Sequence, residues 1–232
     1  MSKKIGLAII VFVVVLTVVI VSAYVLQSST SRTIGVNVGD VFTYSMTGRA
    51  DTYDENVTVP ANFLDINKVD YYRVEIISVE YPVVSYVETT KFKNGTSFSY
   101  DGMVNVEDGG NSGGFWGIYL ANLKKGSLTR PDVSDGVSVA DTVMVSYLDG
   151  DRETNFVSAE GQFYDPTDEL YTRQYYDYMW FYFDKETGIL VGLKNMQIYS
   201  APDIMLVVEY RLVESNVLQI PPNFSLDFDS NF

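Results

Sequence analysis

"YTRQYYDYMWFYFDKETGILVGLKNMQIYS", Tyr171 to Ser200, decides the fold class. Met179, Phe181 and Phe183 oppose Trp180 and Tyr182 in a period of two, so both faces of this run are apolar or aromatic. That period is the signature of a strand. "DKETG" then reverses the chain. Gly188 can supply the positive φ of a short hairpin loop, and Asp184 can hydrogen-bond the turn backbone.

Outward from this hairpin the pattern repeats. "DIMLVVEYRLVES" is expected to close the sheet. Residues 216–232, containing "IPPNFSLDFDSNF", read as an extended tail, because Pro221-Pro222 cannot join a central strand. Towards the N-terminus, Phe42, Tyr44 and Met46 alternate with Thr43, Ser45 and Thr47. Tyr72, Val74 and Ile76 alternate in a second strand; Val84, Tyr86, Glu88, Thr90 and Phe92 do so in a third, with a break at Tyr81-Pro82. Asn94-Gly95 and Asp149-Gly150 are strong hairpin signals. Glu107–Gly114, "EDGGNSGG", reads as a flexible surface loop, and "FWGIYLANLKKG" as a short helix, since Phe115, Tyr119 and Leu123 recur at helical spacing before Gly126. Strands joined mainly by hairpins predict a mainly β fold: an antiparallel curved sheet, half-barrel or sandwich with one or two short helices.

The N-terminus reads differently. Residues 5–26 contain no charge and would span roughly 33 Å as a helix, matching a hydrocarbon core about 30 Å thick. Lys3 and Lys4 precede this run, and only Arg32 follows closely. Basic residues favour the cytoplasmic side. The expected organisation is a cytoplasmic N-terminus (1–4), a transmembrane helix (5–26), a polar stalk (27–34), an extracytoplasmic β domain (35–215) and the tail (216–232). The expected location is the cell membrane, crossed once. Cleavage after Ala23 is the alternative, because Val21-Ser22-Ala23 offers small residues, although the apolar run exceeds a usual signal core. A pilin-type signal cut after Gly6 lacks both the basic residue before the cut and the Glu after it. The absence of Cys excludes lipid attachment through a lipobox.

Composition narrows the chemistry. The chain carries a net charge of −14 with zero His and zero Cys. An acidic exported surface repels nucleic acid and anionic headgroups, so the membrane is an expected partner only through the N-terminal helix. Without His or Cys there is no Cys or Ser–His nucleophile, no His base, no haem ligation by either residue, and no ordinary zinc site. Carboxylate chemistry, Lys or Tyr chemistry and oxygen-only metal sites remain. No cofactor is expected.

Candidate sites are few. Asp149, Asp151 and Glu153 alternate, and Asp51, Asp54 and Glu55 cluster, but neither group completes a calcium loop; both read as solvated turns. "DGGNSGG" lacks the Lys and Ser/Thr of a phosphate loop. Tyr176, Tyr178, Trp180 and Tyr182, with Tyr175, could line an apolar groove for a lipid or sugar; the competing reading is sheet core and cross-strand pairs. Asn56, Asn94 and Asn223 head N-x-[ST] sequons in expected loops or the tail, so each is a candidate glycosylation site.

The basic-flanked helix, the stalk, "VGDVFTY" and "FYFDKETGILVGL" together resemble uncharacterised membrane-anchored surface proteins of archaea. The turn formed by Asp184, Thr187 and Gly188 is also similar to a hairpin in bacterial lipoprotein-carrier half-barrels, which hold acyl chains in an apolar concavity. This chain departs from that pattern, since no Pro follows the turn. The expected function is a non-enzymatic surface structural, adhesion or ligand-binding module. Alternatives are a lipid or apolar-ligand binding half-barrel, a pilin-like subunit, and, last, a carboxylate hydrolase.

Overall fold

The alternating runs form strands, and their hydrogen bonds unite into one ten-stranded antiparallel sheet. A computed structural model describes residues 32–52, 57–59, 61–134, 136–164, 174–200 and 203–228. The expected transmembrane segment 5–26 lies outside these residues. Among the described residues no helix is long and apolar enough to cross a membrane.

The strands are β1 (Val41–Thr52), β2 (Val69–Glu80), β3 (Val83–Phe92), β4 (Ser97–Asn105), β5 (Asn111–Ser112), β6 (Asp141–Tyr147), β7 (Gly150–Tyr164), β8 (Gln174–Asp184), β9 (Leu190–Ser200) and β10 (Asp203–Ser215). Their order across the sheet is β5-β4-β3-β2-β1-β10-β9-β8-β7-β6. Two meanders, β1–β5 and β6–β10, thus meet through one long-range pairing, in which Phe42 faces Ser215 and Thr52 faces Ile204. The mainly β, antiparallel expectation is met. The sandwich alternative is not, because the ladders run through all ten strands without splitting into two sheets.

The sheet curves. Strands two apart in a flat sheet lie about 10 Å apart. Tyr72 on β2 and Tyr210 on β10 have β1 between them, yet their ring centroids are 6.5 Å apart. Tyr44 on β1 likewise reaches across β10 to donate to the Leu190 carbonyl on β9 at 2.9 Å. These side chains define the concave face.

The chain between the meanders covers that face. Residues 113–140 leave β5 and return at β6, and Phe115, Ile118, Tyr119 and Leu120 are buried on the sheet. The short helix expected over "FWGIYLANLKKG" does not form. Instead, Ile118 bridges Ile189 and Leu120 bridges Ile34 as isolated antiparallel pairs. Gly113, Gly114 and Gly117 disfavour helix, and the exposed backbone at the Asp184–Gly188 turn offers partners: the Tyr119 N–H donates to the Gly188 carbonyl at 2.9 Å. Thr33 and Ile34, assigned to the stalk by composition, already take part in this ladder, with the Ala121 N–H donating to the Thr33 carbonyl. The short helix that does form is α1 (Ala61–Asp65), followed by a 3-10 turn at Ile66–Lys68. Phe63 on α1 packs with Ile204 and Leu206 at the other end of the concave face.

Among the described residues after β10, 216–228, no strand forms, but the segment is firmly packed. Leu218, Phe224, Leu226 and Phe228 are buried. They cover the convex face: the Phe228 ring meets Tyr182 edge-on at 5.4 Å, and Phe224 meets Tyr147 at 5.4 Å. This explains why β8 is aromatic on both faces. The loop expected to be flexible at Glu107–Gly114 is also ordered by contacts. The Asn105 N–H donates to the Gly110 carbonyl at 2.8 Å, and the Gly110 N–H donates to Asp108 Oδ1 at 2.7 Å, forming a hairpin from β4 to β5.

Candidate functional site

Glu88 interrupts an otherwise apolar inward row on β3, Val84, Tyr86 and then Glu88. It is 8% exposed, and its cross-strand neighbour on β2 is Val74. A carboxylate taken out of water must be hydrogen-bonded or paired. The Tyr72 hydroxyl donates to Glu88 Oε2. The Gly114 N–H lies 2.9 Å from Oε1 and 3.0 Å from Oε2. Gly114 can come this close because it lacks a side chain: a Cβ there would sit 3.1 Å from Oε2. The Tyr86 hydroxyl donates to the Phe115 carbonyl and holds the same segment down.

Beside Glu88 lies a cavity of about 530 Å³ between the concave face and the segment 113–126 that straps across it. Its floor is Met179 on β8, Leu190 and Leu193 on β9, and Val208 on β10. Tyr72, Tyr210, Phe115 and Trp116 supply aromatic walls, and Ile66, next to α1, closes the far end. The Tyr72 and Tyr210 rings stand at 87° to each other, and Tyr72 lies 6.1 Å from Phe115. Among the described lining residues Glu88 is the one ionisable carboxyl, and none is Lys or Arg.

Burial governs the electrostatics. Burial raises the Tyr72 phenol well above its ordinary value, and the hydrogen bond to Glu88 adds to the effect. Burial, and then the charge of Glu88, raise Tyr210 in the same direction. Tyr86 is pushed up to about 12, first by burial and then by Glu88. At neutral pH these phenols are therefore uncharged donors around one acid. Near the cavity, Asn195 Nδ2 donates to Asp177 Oδ1. Burial raises the Asp177 carboxyl, and hydrogen bonds from Asn195 and Gln197 oppose this.

Arg130 locks the strap in place. Its guanidinium donates to the carbonyls of Trp116 at 2.6 Å and Ile118 at 2.7 Å, and lies 4.4 Å above the Tyr119 ring. Tyr119 in turn stacks on Phe183 at 4.6 Å.

The residues singled out from sequence lie elsewhere. Tyr176, Tyr178, Trp180 and Tyr182 share the convex face, opposite Met179. The structure splits this row. Tyr176 is half-exposed, while Trp180 and Tyr182 are buried, and Tyr182 donates to the Asp227 carbonyl beneath the tail. Tyr178 stacks on Trp180 at 5.9 Å, and a shallower depression of about 280 Å³ lies along Tyr176, Tyr178, Glu160 and Gln162. Asn94 is exposed in the β3–β4 turn, where its Oδ1 accepts from the Thr96 N–H at 3.0 Å. Asn223 is exposed in the tail. Asn56 lies outside the described residues.

The acidic clusters do not converge. Asp151 accepts from the Ser146 hydroxyl, Glu153 pairs with Lys185 at 2.7 Å, and Asp51 pairs with Arg49 at 3.1 Å. Asp54 and Glu55 lie outside the described residues. Among the described residues no group of acidic side chains is placed to hold a metal ion. A second cavity of about 580 Å³ is lined by Arg152, Asp184, Lys185 and Glu186, among others. Its charges are paired with one another: Arg152 reaches Asp184 at 2.9 Å and Glu186 at 2.9 Å.

Sequence reasoning missed the cavity because it followed the most aromatic row. The available signal was Glu88, an acid at an inward position of an apolar strand. Compared with known protein families and curated proteins, the chain matches no family model and no curated relative.

Proposed function

We propose that this chain is a membrane-anchored extracytoplasmic β domain that binds an apolar ligand and has no catalytic activity of its own. The observation that carries this reading is the cavity of about 530 Å³ on the concave face. Small-molecule sites typically fall in the range of about 300–1,000 Å³, with apolar walls and a few convergent polar groups. Met179, Leu190, Leu193, Val208 and the aromatic walls fit that description, and Glu88 is the convergent polar group. The half-barrel resemblance supports the same reading, since those proteins also use an apolar concavity. A glycosidase needs two carboxyls facing one substrate bond. Only Glu88 is offered among the described lining residues, which speaks against the hydrolase alternative. The apolar N-terminal run would hold the domain at the outer membrane surface.

The test uses the full chain in lipid nanodiscs, with empty discs as reference. tert-Butylbenzene is titrated and followed by saturation-transfer NMR. Saturable binding is expected in the native chain and in Tyr176→Ala, and loss of binding in Val208→Trp, whose indole would fill the cavity. Absence of saturable binding, or binding that survives Val208→Trp, would overturn the reading.

A further inference from the structure

We propose that the ligand of this cavity is an organic cation, an ammonium group carried on an apolar body. This inference rests on the reading of the cavity as an apolar-ligand site and names the ligand class. Glu88 is more than nine-tenths buried, and the donors that reach it, the Tyr72 hydroxyl and the Gly114 N–H, are neutral. Among the described residues no Lys or Arg forms an ion pair with it. A buried acid without a counter-charge is costly unless something else supplies the positive charge. The cavity opens beside this acid, and no basic side chain is among its described lining residues.

The walls suit the same ligand. The face of an aromatic ring is electronegative and attracts a cation within about 6 Å of its centre. Tyr72 and Tyr210 meet at 87° with centroids 6.5 Å apart, and Phe115 and Trp116 line the same space. These rings and the Glu88 carboxylate line one space, so a single guest can meet aromatic surface and acid together. The fold already uses this interaction, with Arg130 over Tyr119 at 4.4 Å and Lys194 over Trp180 at 6.0 Å. The net charge of −14 provides a long-range field that draws cations towards the domain and repels anions. A neutral lipid or a fatty acid would gain from the apolar floor alone, and a fatty acid's carboxylate would be repelled by Glu88.

The experiment compares two probes of equal shape, phenyltrimethylammonium and tert-butylbenzene, on the full chain in phosphatidylglycerol nanodiscs against empty discs. The cation is expected to bind about tenfold more tightly or better. In Glu88→Gln, which keeps an acceptor for Tyr72 and Gly114, that preference should fall to near unity while tert-butylbenzene binding persists. Tyr210→Leu removes one wall away from the carboxylate's direct hydrogen bonds and should reduce the preference severalfold, which keeps the test decisive if Glu88→Gln fails to fold. Equal binding of the two probes to the native chain would overturn the cation proposal and leave the apolar-ligand reading standing. Failure of both probes would overturn the apolar-ligand reading itself. Discs containing a choline-headed lipid present the same cation tethered to a bilayer. Competition from them would support the cation preference with a lipid headgroup as its source, and undiminished phenyltrimethylammonium binding would support it for a free ligand.

Discussion

Gly188 and Gly95 both sit in hairpin turns with positive φ, +74° and +91°, but their surroundings differ. A Cβ on Gly95 would meet nothing within 4 Å, whereas on Gly188 it would lie 2.2 Å from the Tyr119 carbonyl oxygen. Gly95→Ala therefore costs only left-handed strain, roughly 1 kcal/mol, while Gly188→Ala adds displacement of the strap and should cost roughly 3 kcal/mol or more. Urea denaturation of the two variants checks this, and equal midpoints would refute it. The turn was legible in the sequence because its chemistry is local. Asp184 accepts from the Thr187 N–H and hydroxyl, both at 2.8 Å, three residues away. Gly109, in the loop whose composition reads as flexible, has φ +77°, and a Cβ there would meet the Arg130 side chain at 3.3 Å. That contact crosses 21 residues of chain, and no local pattern announces it.

The strap over residues 113–126 was expected to be partly helical because Phe115, Tyr119 and Leu123 fall at helical spacing. Spacing alone cannot distinguish a helix from a bent segment whose burial is imposed by a facing sheet. Here Ile118, Tyr119, Leu120 and Ala121 are buried one after another, which a one-sided helical stripe would not give. Besides its backbone bonds, what holds the segment includes Arg130, drawn from beyond it. Arg130→Met would keep an apolar stem and remove the donors to the Trp116 and Ile118 carbonyls, at a cost on the order of 3 kcal/mol. Hydrogen exchange should then accelerate at Ile118–Ala121 well before it does in β8. Uniform acceleration across strap and sheet, or none, would show that Arg130 does not secure this element. The β-hairpins, by contrast, were readable element by element, because alternation and turn residues lie within the same short stretch.

Across the whole molecule the buried phenols make alkaline stability a readout of the core. Burial raises Tyr44, Tyr72, Tyr119 and Tyr147 above the ordinary value of 10.0. The unfolded chain therefore releases these protons first. The stability they lend is fully present below pH 10 and is lost as pH rises through 10 towards the folded-state values. Phenolate absorbance followed beside circular dichroism should show the buried set ionising together with loss of the sheet. Titration of all tyrosines near 10 with the sheet intact would contradict this core. The longer strands, the hairpins, the Asp184–Gly188 turn, the acidity and the exclusion of His and Cys chemistry are legible in the residues, because each is written in neighbouring positions or in composition. Which face of the sheet becomes a site emerges only when the chain is folded. Period-two alternation says that Tyr176, Tyr178, Trp180 and Tyr182 share one face and Met179 the other. It does not say that the tail covers Trp180 and Tyr182, or that the strap leaves a cavity above Met179 with Glu88 at its edge. Those outcomes depend on β1 meeting β10 and on Gly114 meeting Glu88, contacts made by chain closure between distant segments rather than by local preference.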